Sequence, residues 1–304
     1  MIRPVKQIHL IAILATLSVV LSTITIGLNS QVFHFTGNNY CPPEIYETSV
    51  LLVLLFLGAY SRGGLESGLT KTFILMLIYF GVLAVVILAT DAVQYTPFTP
   101  IDESIVKLEP FDIVPIIAWT RQHEGLKNIL AEIYNSLSLE LIIIPCLLIV
   151  SLRRAHLYEY LILILCTALI GFGFYYFFPT TAPASNLHSE YFASYQRATG
   201  IKFHEIHNHI PPSTIEGGLV SFPSFHVIWS WLNLYAIRSF RLLFWILLPY
   251  NMLIIFSCVM LGWHYVLDIF GSLVVLICAH GFCVMHRATA KWSETRSENH
   301  ACIQ

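Results

Sequence analysis

Residues 157–178 read LYEYLILILCTALIGFGFYYFF, an apolar run with a single charged side chain, Glu159. A helix needs about 20 mostly apolar residues to cross the hydrocarbon core of a bilayer. This stretch therefore predicts a membrane-spanning helix. Similar apolar runs occur at 8–28, 45–60, 72–90, 131–152, 222–237, 241–261 and 264–285. The runs at 45–60 and 222–237 are rather short. The sequence predicts an all-α fold, a polytopic transmembrane helical bundle of about eight helices.

The composition excludes most other classes of protein. Of the 304 residues, 56% are hydrophobic and only 11% are charged, against about 25% charged in an ordinary soluble domain. A soluble globule cannot bury that much apolar surface, and disorder, coiled coil and disulfide scaffold are excluded as well. The net charge is -2 without any basic block, so we expect the bilayer, and no nucleic acid, as a partner.

The apolar runs divide the chain into three segments. We predict two N-terminal transmembrane helices in 1–71, a six-helix catalytic core in 72–290 and a cytoplasmic tail without regular structure in 291–304. The first run is too long for the core of a signal peptide, so we expect a retained helix. The seven cysteines contain no CxxC pair, and neither a zinc site nor a disulfide framework is expected.

The positions of Lys and Arg predict the orientation in the membrane, because cytoplasmic connections carry more of them. Alternate connections hold eleven and five such residues. The set of eleven comprises Arg3, Lys6, Arg62, Lys71, Arg153, Arg154, Arg238, Arg241, Arg287, Lys291 and Arg296. Both termini are therefore expected in the cytoplasm, and the long connections 91–130 and 179–221 on the non-cytoplasmic side.

Three short motifs lie at the predicted non-cytoplasmic ends of helices. Residues 221–226 read SFPSFH and open one helix, residues 264–268 read HYVLD and open another, and residues 178–183 read FPTTAP and end a third. Proline suits the first turn of a helix. After Pro223, the free backbone N–H groups and the Ser224 hydroxyl form a candidate anion site at a positive helix end.

His264 and Asp268 are the strongest catalytic candidates from spacing alone. Residues four apart share one helix face, and an acid within a membrane span is costly unless it has a partner. A carboxylate that holds one imidazole nitrogen leaves the other nitrogen available as a nucleophile or a base. The charge count places His226 on the same side of the membrane.

The two histidine motifs carry a family resemblance. SFPSFH, then 37 residues, then HYVLD resembles the second and third signature motifs of the type 2 phosphatidic acid phosphatase superfamily, over about 72–285. With FPTTAP upstream, the residues of these motifs are most similar to those of the inositol phosphorylceramide synthase branch. The resemblance implies an integral membrane lipid phosphatase or head-group phosphotransferase, without metal or cofactor, that acts on a lipid phosphate or phospholipid.

The resemblance also implies a role for each residue. His264 would attack phosphorus and carry a phosphohistidine, while Asp268 would orient it. His226 would protonate the leaving oxygen and then activate the acceptor, which could be water or an alcohol. The motifs leave this choice open.

The sequence departs from the family where positive charge is expected. The family's first motif is not found, and Cys258 stands where an arginine usually precedes the nucleophilic histidine. Phosphoryl transfer requires neutralisation of the equatorial oxygens, so another cation must substitute. The candidates on the predicted non-cytoplasmic side are Arg197, Lys202, Arg121 and Lys127.

Further side chains admit two interpretations. Tyr176 is a candidate for substrate contact or a packing residue, and Glu140 could contact the head group or bond to a neighbouring helix. His204, His207 and His209 are spaced like loose metal ligands, but exposed loop histidines are the favoured interpretation. The rival function is a transporter or scaffold with a buried His/Asp network, although no inverted repeat is visible. The oligomeric state is left open.

Overall fold

The computed structural model describes residues 4–35, 43–187, 189–214 and 221–301. The helices of these residues are α1 (Pro4–Gln31), α2 (Pro43–Gly63), α3 (Gly68–Val93), α4 (Asp102–Leu108), α5 (Val114–Gln122), α6 (Glu124–Asn135), α7 (Leu137–Val150), α8 (Arg154–Phe177), α9 (Pro183–Asn186), α10 (Ser194–His207), α11 (Phe225–Ala236), α12 (Arg241–Met260) and α13 (Val266–Ala301).

Among the described residues, six helical segments are long and apolar enough to cross a membrane. They are Lys6–Gln31, Gly68–Val93, Glu124–Val150, Arg154–Phe177, Arg241–Met260 and Val266–Thr289. The predictions of a helical fold and of an integral membrane protein are thereby supported. The predicted count of about eight spans is not confirmed, and the sixth predicted run yields only the 12-residue α11.

The long connections contain helices of their own. Helices α4 and α5 lie between the second and third spans, and α9 and α10 lie between α8 and α11. The run predicted at 131–152 is divided between α6 and α7 at Ser136. The prediction of an irregular tail over 291–304 is wrong up to Ala301, because α13 continues to that residue. No glycine or proline follows Gly281, so no helix-breaking residue ends α13 earlier.

Helix α8 forms the centre of the bundle. It packs against α1, α3, α7, α11 and α13, and its central residues, including Leu161, Leu163 and Leu165, are completely buried. A helix that is hydrophobic on every side is expected in such a position. The span α12 packs instead against α11, α6 and α5.

Candidate active site

A glycine turn places His264 between α12 and α13. Gly262 has a φ of 80°, a conformation that other residues rarely adopt, and a Cβ there would lie within 3 Å of two neighbouring side chains. The Gly262 N–H donates to the Val259 carbonyl (2.9 Å) and the Trp263 N–H to the Cys258 carbonyl (3.0 Å). This pair of bonds is a Schellman motif, which ends α12 and turns the chain toward His264.

Glu109 caps the start of α13 from a distant part of the chain. Its carboxylate accepts the N–H groups of Val266 (2.8 Å) and Leu267 (3.1 Å). A carboxylate at this position satisfies unpaired donors and complements the helix dipole. Burial nevertheless raises the pKa of Glu109 above its usual value. The cap fixes the first turn of the helix that carries Asp268.

The hydrogen bonds of His264 determine which ring nitrogen carries the proton. Nδ1 lies 3.0 Å from Asp268 Oδ2 and 3.0 Å from the Ser221 carbonyl oxygen. Both partners are acceptors, so Nδ1 must carry the hydrogen and Nε2 presents a lone pair. Asp268 is itself held, because Oδ2 also accepts the Ser221 hydroxyl (2.9 Å) and the Tyr265 N–H (3.0 Å). The two side chains form a buried and oriented imidazole–carboxylate pair, whose free Nε2 lone pair could act as a nucleophile.

His226 lies opposite the His264 ring. The ring centroids of His226 and His264 are 6.0 Å apart, a separation suited to two side chains that act on one phosphate group. The Tyr134 ring stacks on His226 with centroids 3.9 Å apart, and its hydroxyl lies 3.2 Å from His226 Nδ1. Trp263 stacks on Tyr134 in turn, at 5.7 Å. His226 is therefore held by an aromatic neighbour through packing and one hydrogen bond.

The FPTTAP motif anchors the start of the His226 helix. Thr180 Oγ1 accepts the Phe222 N–H at 2.8 Å. The Thr181 N–H and hydroxyl donate to the buried carboxylate of Asp102. Burial outweighs these bonds and raises the pKa of Asp102 to about 6. The motif thus ties the end of α8 to α4 and to the segment before α11.

The predicted anion-site residues lie at the start of α11. Ser224 is the N-cap of this helix, and its hydroxyl accepts the Val227 N–H at 3.5 Å. Ser224 is completely buried, and Pro223 before it is buried too. The Ser224 hydroxyl is thus engaged in capping, beside His226.

The structure does not bring Glu140 and Tyr176 to the two imidazoles. Glu140 accepts the side-chain N–H groups of Asn233 (3.3 Å) and Asn251 (3.1 Å). It therefore bonds to neighbouring helices, the second of its two interpretations. The Tyr176 hydroxyl donates to Asn29 Oδ1 on α1 at 2.9 Å. Both side chains join helices within the bundle.

The four candidate cations lie at different positions. Arg121 Nη2 donates to Gln196 Oε1 at 2.9 Å, and Gln196 Nε2 donates to the Leu261 carbonyl at 2.8 Å. Leu261 is three residues before His264. Lys127 pairs with the exposed Glu124 at 3.8 Å. Arg121 is therefore linked through one side chain to the turn that precedes His264.

Helix α10 carries the other two cations and two of the spaced histidines. Arg197 is exposed and donates to the Ser189 carbonyl at 2.8 Å, whereas Lys202 is 1% exposed. His204 and His207 lie in the last turn of the helix. Among the described residues, no group of three or more His, Cys, Asp or Glu side chains is arranged to hold a metal ion.

Four site residues escaped the sequence analysis as individual candidates. Ser221 lies within the SFPSFH motif, so the motif itself could have pointed to it. Tyr134, Asp102 and Glu109 are far from the motifs in sequence, and only the tertiary structure brings them to the site. Acids flanked by prolines in a predicted non-cytoplasmic connection were the one available signal, and it is a weak one.

Comparison with known proteins gives one match. A family model described as the PAP2 superfamily matches residues 106–282, more than half of the chain. The matched region contains both imidazoles and Asp268, and α1–α3 precede it. Neither a search of curated proteins nor a search of solved structures found a match.

Proposed function

Because this chain belongs to the PAP2 superfamily, whose members are generally phosphatases, we propose that it is a lipid phosphatase or phosphotransferase that works through a phosphohistidine. The observation that carries the proposal is the hydrogen bonding of His264. Two acceptors hold the proton on Nδ1, which leaves the Nε2 lone pair for attack on phosphorus. A lipid substrate fits a chain with six membrane-spanning helices.

In the first step, His264 Nε2 attacks phosphorus and the bond to the leaving oxygen breaks. Asp268 stabilises the positive charge that develops on the imidazole. His226 enters this step as an imidazolium, and its Nε2–H protonates the leaving oxygen. The Nδ1–H of His226 donates to the Tyr134 oxygen.

In the second step, neutral His226 acts as a base. Its Nε2 lone pair takes a proton from water or an alcohol, whose oxygen attacks the phosphohistidine and releases His264. Tyr134 keeps the other proton on Nδ1 throughout, so Nε2 can both give and take the transferred proton. Water as acceptor gives hydrolysis, and an alcohol gives head-group transfer.

Arg121 supplies the positive charge that phosphoryl transfer needs. Its support is the link through Gln196 to Leu261, next to the nucleophile's turn. Arg197 and Lys202, which the sequence also suggested as phosphate-binding residues, lie on α10 in the other long connection. We assign the reacting phosphate to Arg121.

The finer features of the proposal come from the sequence. The Lys and Arg count supports a site on the non-cytoplasmic face with both termini in the cytoplasm. The residues of the motifs support an inositolphosphotransferase-like activity. The histidine mechanism itself requires no metal ion and no cofactor.

A panel assay tests the proposed function. The purified protein is incubated with lipid phosphates and phosphodiesters, with and without alcohol acceptors, and His264→Ala serves as the control. We expect phosphate release or head-group transfer that vanadate inhibits, because vanadate mimics five-coordinate phosphorus. A protein that turns over no substrate in the panel and is indifferent to vanadate would favour the transporter or scaffold alternative.

A further inference from the structure

A large cavity lies beside α10, and neither His226 nor His264 lines it. Its volume is about 970 Å³, within the usual range for ligand sites. Its walls come from α10, α9 and the chain before α4, and include Arg197, Ile201, His204, Ser185, Thr99 and Thr181. We name this cavity the α10 groove.

Helix α10 faces the candidate active site on one side and the groove on another. Gln196 bonds to the Leu261 carbonyl near the nucleophile's turn. Arg197, Ile201 and His204 recur at helical spacing and line the groove. The groove is thus a separate space behind the helix that supports the site.

Close packing forms the wall of the groove. A Cβ at Gly200 would lie 2.5 Å from the Ser185 hydroxyl oxygen, so the absence of a side chain lets α10 approach α9. Ser185 itself donates to the Thr181 carbonyl at 2.7 Å. Thr181 also holds Asp102, so the wall is continuous with the contacts that anchor the FPTTAP motif.

The charges in the groove favour an anion. Arg197 uses Nη2 to bond the Ser189 carbonyl and forms no ion pair with the residues that the structure describes. A guanidinium has five N–H donors in a planar fork that matches phosphate oxygens. Glu205 also lines the groove, but its carboxylate accepts the Ser213 N–H at 2.9 Å. Hydrogen bonds from the Ser213 side chain and from this N–H lower the pKa of Glu205, and they direct the carboxylate toward the following loop.

The lining also contains apolar side chains. Pro100, Leu187, Ile201 and Phe203 form an apolar part of the walls, and Ile201 is 50% exposed, while Ser189 and His207 add polar groups. A ligand that fits has an anionic end for Arg197 and an apolar part for these side chains. A lipid has both, and a chain with helices long and apolar enough to cross a membrane meets lipids directly.

We propose that the α10 groove binds the phosphate-bearing head group of a second lipid, with the phosphate on Arg197 and the glycerol and first acyl carbons on the apolar wall. This site is distinct from the histidine pair. It goes beyond the proposed function, because it requires no turnover of the lipid that it holds.

Binding measurements on the full chain in nanodiscs test the proposal. The probes are dihexanoyl phosphatidic acid, dihexanoyl glycerol and inorganic phosphate, and native mass spectrometry counts the bound molecules. Two variants alter the groove: Arg197→Gln removes the charge, and Ile201→Trp fills the space. Lys107→Gln is the control, because Lys107 is an exposed cation on neighbouring α4 outside the groove.

We expect Arg197→Gln to weaken one binding event for dihexanoyl phosphatidic acid by about tenfold or more, as for a lost charged hydrogen bond. Ile201→Trp should abolish that event, and Lys107→Gln should leave it unchanged. Equal affinity in all three variants overturns the proposal. Inorganic phosphate that binds as tightly as the lipid would make the groove a free-phosphate site and overturn the lipid assignment. All counts are made in the His264→Ala background, because the proposed enzyme would hydrolyse the phosphatidic acid probe. Failure of the proposed enzymatic function would therefore leave this result readable.

Discussion

Removal of the Tyr134 hydroxyl tests how His226 is controlled. Tyr134→Phe keeps the ring that stacks on His226 at 3.9 Å and deletes only the oxygen 3.2 Å from Nδ1. Without this acceptor, neutral His226 can carry its proton on Nε2, and that tautomer cannot act as a base. Protonation of His226 to the acid form also loses one hydrogen bond.

The expected size of the effect follows from that single hydrogen bond. Such a bond contributes about 0.5–1.5 kcal/mol, which corresponds to a loss of about 2- to 12-fold in rate. The loss should appear in kcat/KM for substrates with alkyl leaving groups, because these need protonation. A nitrophenyl ester has an activated leaving group and should lose little in kcat/KM.

The assay compares kcat/KM for the two substrate types in wild type and variant. Tyr250→Phe is a matched control. The Tyr250 hydroxyl donates to Ser136 Oγ at 2.6 Å, so this substitution deletes an equivalent hydrogen bond at a residue two positions from Tyr134. We expect no dependence on the leaving group in this control. An equal loss on both substrate types in Tyr134→Phe would refute the reasoning, since it would indicate general misfolding of the site.

Three other predictions follow from the same geometry. Arg121→Gln should lower kcat/KM by about 10²-fold, the usual cost of losing one donor to the developing charge. Lys127→Gln should change kcat/KM little, and equal effects of the two substitutions would exclude Arg121 from the site. Asp102 has a raised pKa of about 6, so it binds its proton more tightly in the folded protein than in the unfolded chain. The melting temperature of the wild type should therefore fall relative to that of Asp102→Asn as the pH rises from about 4 to 6. A constant difference between the two melting temperatures would contradict this. Activity should survive EDTA, and complete loss restored by a divalent ion would redirect attention to the histidines of α10.

Local spacing explains why part of the site was predictable. His264 and Asp268 are four residues apart, and the hydrogen bond between them (3.0 Å) is what a shared helix face permits. Counting Lys and Arg at helix ends predicted His226 on the same side of the membrane as this pair, a signal that does not depend on the motifs. The apolar run 157–178 likewise predicted a helix, and its lack of a polar face agrees with the central position of α8.

Tertiary contacts decide the rest. Tyr134 and Glu109 reach the site from elements far from the motifs in sequence, and no periodic pattern marks them. Glu140 had two interpretations because its partners, Asn233 and Asn251, come from other helices. The break at Ser136 and the short helices of the long connections depend on packing too, so hydropathy alone did not indicate them.

Single-turnover trapping of the phosphoenzyme tests the central claim most directly. Substrate labelled on the phosphate is mixed with excess enzyme, the reaction is quenched in base, and labelled histidine is counted in wild type, His264→Ala and His226→Ala. We predict label on wild type, none on His264→Ala, and slowly released label on His226→Ala when the leaving group is activated. Label trapped on His264→Ala but absent from His226→Ala would reverse the roles, and an absence of labelled histidine in every protein that turns over substrate would contradict the phosphohistidine mechanism.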